Sequence, residues 1–297
     1  MNTDHLRAFV TAVDEGTFEA AAALLRISGS AFSQRIKALE KEVGQVLVTR
    51  TVPVHTTPAG EDLLRTARQM VLLEDEARRS LGFRGSSKNY MPTTTLSVAV
   101  NADSLYSWFI RVLQEAATWD DVELHLYPED QEHTHELLRN GTVVAAVAEH
   151  PTPVSGCRSL PLGTMRYWPV ASVELLDRHR DEAGALNWQA VPVVDYSIRD
   201  SLQRTALHRV GVDSPRVTHL IPSVEAYNAA VGYGLGWGMI PEGMMPAGVM
   251  EGTHADLQVI EEIGPEESAL HWQHWTTTTP ALDRLTAAVG RAAARMR

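Results

Sequence analysis

Residues 16–44, GTFEAAAALLRISGSAFSQRIKALEKEVG, carry two helical apolar patterns joined by a short polar break. In the first, Phe18, Ala21, Ala22 and Leu25 recur at three- to four-residue spacing. In the second, Ala31, Phe32, Ile36 and Leu39 do so, with Ser28 placed as N-cap and Gly44 as C-terminal cap. The run Ala20 to Ala23 permits close helix–helix approach, and Ile27 fills the turn. Ahead of them, Asp4 to Glu15 shows one stripe of Leu6, Phe9, Val10 and Val13 and stops at Gly16, with Thr17 placed to cap the next helix. Two helices with so short a break predict a helix-turn-helix.

The outward positions of the later helix are Gly29, Ser30, Ser33, Gln34, Arg35 and Lys37. Small groups at its N-terminus let a helix enter the major groove, Gln and Arg pair with base edges, and cations meet phosphate. The same composition also suits an amphipathic helix whose polar face is merely solvated, and the residues alone leave both readings open. Next, Val46 to Arg50 alternates like a strand and Val52 to Thr56 returns beside it, a small wing that offers Arg50, His55 and Thr56 to DNA. Thr57 caps and Pro58 opens a long helix running to about Leu81. Its Leu63, Ala67, Met70, Leu73 or Glu74, Ala77 and Leu81 follow a near-heptad spacing, which predicts a dimer helix or a helix packed on its own domain.

Together, GTFEAAAALLRISGSAFSQRIKALEKEVG and the following LVTRT…TTPAGE resemble the N-terminal winged helix-turn-helix of LysR-type transcriptional regulators. The matching positions are Phe18, Ala21, Ala22, Leu25, Ser28, Ser33, Ile36, Leu39, Glu40, Gly44, Leu47, Arg50, Thr57 and Gly60. Phe32 stands where such regulators commonly carry Val, a core-facing exchange. Further on, NADSLYSWF, PEDQEHTHELLRNGTVVAAV, GCRSLPLGTMRYWPVAS, PSVEAYNAAVGYGLGWGMIPE and HWQHW resemble the branch that regulates export of basic amino acids, the LysG/ArgP branch. His274 occupies a place near HWQHW where that branch often has a basic residue. The resemblance implies activation of a lysine or arginine exporter gene when that amino acid accumulates. It also implies an inverted-repeat operator, contact with RNA polymerase, and homodimers that assemble to tetramers.

A DNA-binding role sits oddly with a formal net charge of −11, but the charge is unevenly placed. Residues 1–88 hold 12 Lys and Arg against 11 Asp and Glu, whereas residues 89–297 hold 14 against 26. The acidity belongs to the second segment, and contact with DNA depends on local placement and on doubling by dimerisation. A length of 297 residues predicts two or three domains. The single Cys157 excludes an internal disulfide framework and fits a reducing cytosol. The opening MNTDHLRAFVTAVDEG has no continuous apolar run, so neither a signal peptide nor a membrane span is expected, and the cytoplasm is the expected location.

The second segment alternates. Strands are expected at 94–100, 122–127, 143–149, 192–197, 216–221 and 237–240, and helices at 104–118, 132–140, 200–210 and 224–233. That order argues for parallel α/β sheets, with HPTPVSG (150–156) between two such units. The expected fold class is thus α+β multidomain. Residues 1–57 form a winged helix-turn-helix and 58–88 a linker and dimerisation helix. Residues 89–297 form a two-lobed α/β effector domain like a periplasmic binding protein; the family resemblance implies that the chain crosses back, which puts lobe 1 at about 92–163 plus 268–297 and lobe 2 at about 164–267.

Ligands in such folds sit outside the carboxyl ends of strands. Asn101, Asp103 and Ser104 follow the first strand, and Ser223 and Glu225 follow one in the second lobe. A serine at a helix start suits a carboxylate, and Asp103, Glu129, Asp130 or Asp195 suit an ammonium or cationic side chain. Ser and Asp at helix starts also serve simply as caps. No cofactor is expected beyond an amino-acid effector, lysine or arginine. The paired histidines of EHTHE and HWQH lack a companion metal motif, GYGLGWG follows a helix rather than a strand, and Cys157 has no defined base beside it. The seven tryptophans are expected in the core or between the lobes. No catalytic pair is evident, so no enzyme is expected. Two other classes remain: a regulator with a different effector, and a small-molecule-binding or enzyme domain with a helical dimerisation module.

Overall fold

A computed structural model describes residues 1–81, 93–128 and 131–296. The first unit comprises α1 (Thr3–Glu15), α2 (Phe18–Leu24), α3 (Gly29–Val43), β1 (Val48–Thr49) and β2 (His55–Thr56). Each predicted punctuation mark performs its local task. Thr17 Oγ1 accepts from the Ala20 amide, Ser28 Oγ accepts from the Ala31 amide, and Gly16 and Gly44 end their helices at φ 67° and 78°. Leu6, Phe9, Phe32, Ile36, Leu39 and Leu47 are buried together, and the rings of Phe18 and Phe32 meet edge-on at 5.2 Å. The wing is antiparallel, Val48 opposite Thr56, and is pinned where the Val54 amide donates to Gly16 O at 2.7 Å.

Helix α4 (Pro58–Ser80) follows, with Thr57 as cap and Pro58 in its first turn. Its near-heptad seam is divided. Gly60, Leu64 and Ala67 pack into the first core, Leu63 and Met70 flank it, Leu72 enters the second core, and Leu73, Ala77 and Leu81 face solvent. Its later turns are tied to α1, where Arg7 reaches Glu74 at 3.1 Å and Asp75 at 2.5 Å. Gly60 is the tight point, because a Cβ there would lie 2.1 Å from Leu47 O.

The second unit begins with β3 (Thr94–Ala99), α5 (Ala102–Tyr106), α6 (Ile110–Ala116), β4 (Val122–Tyr127), α7 (Gln131–Asn140) and β5 (Ala145–Ala148). It continues with β6 (Cys157–Ser172), α8 (Val173–Arg178), β7 (Val193–Asp195), α9 (Leu202–Arg209), β8 (Thr218–Leu220) and α10 (Val224–Gly232). Last come β9 (Gly238–Pro241), β10 (Leu257–Val259), β11 (Glu266–Trp275) and α11 (Pro280–Ala293). The main sheet has the order β10-β6-β11-β5-β3-β4, with β9 also on β6; β7 and β8 form a small parallel sheet. β3 runs parallel to β4 and β5, whereas β11 is antiparallel to β5 and β6.

Three features depart from the sequence expectation. The sheet expected to be parallel is mixed, because β6 and β11, which are not among the expected strands, pair antiparallel across the middle of it. The helix expected over 104–118 is broken at Ser107 (φ −105°, ψ −99°), whose hydroxyl donates to Asp103 O. The segment 150–156 stays with the first lobe, because Gln273 accepts from the Val154 amide and donates to His150 O and Thr152 O, each at 3.0 Å. The passage between lobes is made inside β6, which pairs with β11 through Cys157–Tyr167 and with β9 and β10 beyond. α11 returns to pack on α6 and β3, as expected for the chain's end. Trp108, Trp237, Trp272 and Trp275 are buried, and Trp119, Trp168 and Trp188 are half-buried. Cys157 is buried too, its thiol pushed up to about 11 by loss of water, which suits a small apolar residue rather than a nucleophile. Residues 232–238 form the turn from α10 into β9.

Candidate DNA-reading surface and effector cleft

On α3, Ser30, Gln34 and Lys37 are exposed and Ser33 and Arg35 half-buried. Gln34 and Lys37 have neither side-chain hydrogen bond nor ion pair among the described residues, so their polar ends are free for an incoming surface. Arg35 Nη2 stands 3.7 Å from Asp4 Oδ2 at the start of α1, a loose pair that leaves most of its donors open. Ser28 is occupied as a cap and lies 3.0 Å from Ser30 Oγ. Arg50 is exposed at the base of the wing, its guanidinium 5.9 Å from the Phe18 ring centroid. Thr56 is half-buried on the returning strand. The end of α3 is fastened to the start of the wing through Glu40, whose Oε1 accepts from the Leu47 amide.

The second site lies between the lobes where β3 and β7 end, beside the middle of β6. Asp103 Oδ2 accepts from Tyr167 Oη at 3.0 Å. Burial pushes its carboxyl up to about 6; the Tyr167 hydrogen bond opposes this, and Asp200 and Glu149 add to it. Asp195 is likewise pushed up to about 6, by burial first and Asp200 second, and its Oδ1 has no partner. Asp200 accepts from the backbone amides of Tyr196 and Leu202. Asn101 Oδ1 and the fully buried Ser104 Oγ are unpartnered, so neither caps α5, a helix of only five residues. Ser223, by contrast, does cap α10, accepting from the Ala226 amide at 3.4 Å. Glu225 meets Tyr106 Oη at 3.4 Å, a contact that closes the lobes over the site. Glu129 and Asp130 lie outside the described residues.

The enclosed space left between the lobes is about 30 Å³, lined by Asp103, Tyr196, Asp200, Tyr227, Met239 and Met244 among others. That is room for one or two waters and is smaller than an amino acid. An open groove of about 630 Å³ lies outside Tyr106 and Met244, but Arg166 there already pairs with Glu267 at 2.9 Å and Glu242 at 3.7 Å. The inner site carries the electrostatic demand: several carboxylates converge, two of them held away from their ordinary ionisation.

Sequence reasoning located Asp103, Ser104 and Asp195 at strand ends. It missed Tyr167, Asp200, Glu149, Tyr196 and Tyr227. Tyr167 lies in the middle of β6 and Glu149 just after β5, so only the sheet pairing brings them to Asp103. Among the described residues, no His, Cys, Asp and Glu group with metal-site geometry occurs, and no helix is long and apolar enough to cross a membrane.

A winged helix-turn-helix joined by a helix to a two-lobed, acid-lined cleft defines a DNA-binding regulator that responds to a small molecule. Residues 3–61 match the model of the bacterial regulatory helix-turn-helix protein, lysR family, and residues 91–294 match the LysR substrate binding domain. The chain belongs to the LysR family of transcriptional regulators and is not an enzyme. It is similar to the lysine export transcriptional regulatory protein LysG of Corynebacterium efficiens, 44% identical over 295 residues, 99% of this chain and 98% of the relative. Among solved structures it is similar to full-length LysG from Corynebacterium glutamicum with bound effector Arg: TM-score 0.79, 40% identity, covering 99% of this chain and 98% of that one. ArgP from Mycobacterium tuberculosis gives a TM-score of 0.80 at 38% identity, covering 98% and 97%. The chain is thus a regulator of the LysG/ArgP kind.

Proposed function

We propose that this regulator senses lysine or arginine in the inter-lobe cleft and activates transcription of a basic amino-acid exporter gene. One observation carries the reading: Asp103 and Asp200 line the space between the lobes, Glu149 acts on Asp103 and Asp200 on Asp195, and two of these carboxyls are pushed up to about 6. A cation relieves that repulsion, and a neutral ligand does not. The Corynebacterium glutamicum relative, with Arg as its bound effector, supports the same chemistry. Asp103, Asp195, Glu225, Glu129 and Asp130 receive the charged nitrogens. Asn101 and Ser104, whose buried polar atoms lack partners, and Ser223 serve the polar backbone of the ligand.

The protein works in the cytoplasm, on DNA. Residues 1–57 read an inverted repeat, 58–88 pair two copies through the exposed Leu73, Ala77 and Leu81 seam, and 89–297 sense the effector; dimers join as tetramers and act on RNA polymerase. Ser30, Ser33, Gln34 and Arg35 contact base edges or the groove, and Ser28, Lys37, Arg50 and Thr56 contact the phosphate backbone.

Calorimetric titration of the full chain with lysine, arginine, histidine and leucine tests the sensing. Binding of a basic amino acid, lost in Asp103→Ala, supports it. Binding of histidine or leucine alone replaces the effector, and binding of none overturns the cleft assignment while leaving the DNA-reading unit untouched. A reporter fused to a basic amino-acid exporter promoter of the same organism, unresponsive to the amino acid in the presence of this protein, overturns the target.

A further inference from the structure

Helix α4 is fastened to both units by two arginines one turn apart. Arg68 Nη1 donates to Asn140 O at 3.0 Å and to Thr142 Oγ1 at 2.9 Å, and its Nη2 donates to Asp14 at the end of α1. One guanidinium therefore ties α1, α4 and the loop after α7, and its side chain is only 10% exposed. Arg65 Nη1 donates to Ser155 O on a second loop of the same lobe. Both loops are shaped for this approach. Gly141 and Gly156 each adopt φ +79°; a Cβ would lie 3.2 Å from Arg65 Cα at the first and 2.9 Å from Arg65 Nη1 at the second.

The same loops open the strands that reach the cleft. The chain after Thr142 forms β5, which ends beside Glu149, and Glu149 acts on Asp103. The chain after Ser155 forms β6, which carries Tyr167, the donor to Asp103. Thr142 and Glu149 are about 23 Å apart at the rise of an extended strand. The arginines thus hold the loops that open β5 and β6, and residues farther along the same two segments act on Asp103.

We propose that Arg65 and Arg68 are positioning residues that fix the angle between the DNA-reading unit and the first lobe, and that occupation of the cleft reaches the DNA through them. The second half of this rests on the reading of the cleft given above. Arginine suits the task because one planar fork serves three acceptors on two elements from a third, which a lysine ammonium does not.

The experiment uses full-length protein, operator DNA and arginine as the probe. Arg68→Ala is expected to bind arginine and, without arginine, operator DNA within about twofold of the original chain, and to lose the arginine-dependent change in the footprint. Coupling is reciprocal, so the factor by which operator DNA changes arginine affinity falls to about one in the same variant. Thr142→Val, on the far side of the contact, gives the same uncoupling, and Arg68→Lys keeps only part of the response. An arginine-dependent footprint unchanged in Arg68→Ala and Thr142→Val overturns the proposal. If Arg68→Ala fails to fold, Thr142→Val decides alone. If the original chain binds no basic amino acid, the cleft reading fails instead, and the contact is read without effector: amide exchange at Thr142 and Cys157 rises in Arg68→Ala if the arginines fix the angle, and unchanged exchange overturns that half too.

Discussion

The Tyr167 hydroxyl donates to the Asp103 carboxylate at 3.0 Å, from the strand that crosses the lobes to the short helix that opens the cleft. The phenol holds the acid in place without neutralising it. Burial, Asp200 and Glu149 all favour the protonated form, and only a cation reverses the balance.

Effector affinity therefore depends on pH. Asp103 and Asp195, both pushed up to about 6, must ionise to receive a cation. Affinity for arginine or lysine is expected to be about ten- to a hundredfold weaker at pH 5 than at pH 7, with the two groups titrating as a coupled set. Calorimetry in buffers of different ionisation enthalpy will show proton release on binding near pH 6.

Stability of the effector-free protein runs the other way. A carboxyl whose folded value is raised binds more protons folded than unfolded, so stability is full below its unfolded value near 3.8 and is lost as pH rises through about 6. Asp103→Asn removes that penalty. Urea unfolding at pH 8 is expected to show a gain of about 1–2 kcal/mol, allowing for solvent screening of a half-buried group, together with loss of arginine binding.

DNA contacts divide by chemistry. Arg50→Ala should weaken binding on every operator sequence and reduce the slope of log affinity against log salt by about one. Gln34→Ala should cost about 1–3 kcal/mol at one base position and leave the salt slope alone. Gel shifts over a salt series, with single-base operator variants, separate the two.

The close approach at Gly60 makes a stability prediction. A methyl group there would overlap the Leu47 carbonyl, so Gly60→Ala must displace α4 from the wing. A loss of about 1–3 kcal/mol in unfolding of the first unit is expected, with operator affinity falling and arginine affinity unchanged.

The first unit was legible because its signals are local: Thr17, Ser28 and Thr57 cap the helices that immediately follow them, and Gly16 and Gly44 end those before. The second was legible only in part. Strands such as β3 and β4 announce themselves by β-branched and apolar runs, but β6 contains Pro161, Gly163 and Pro169 and reads as broken. It is a strand because β11 pairs along its first part and β9 and β10 along its last. For the cleft, helix-start residues were visible, yet Ser223 turned out to cap whereas Asn101 and Ser104 do not. The companions of Asp103 come from positions far along the chain and follow from pairing alone.

Leu64 and Ala67 lie in one core and Leu72 in the other, so α4 is a lever with its fulcrum inside the sensor. From Leu72 back to Pro58 is about 21 Å at 1.5 Å per residue. A tilt of about 10° at the fulcrum sweeps the reading head through about 3.7 Å, close to one base-pair step of about 3.4 Å. Small changes of angle at the sensor are therefore enlarged along α4 before they reach the first unit.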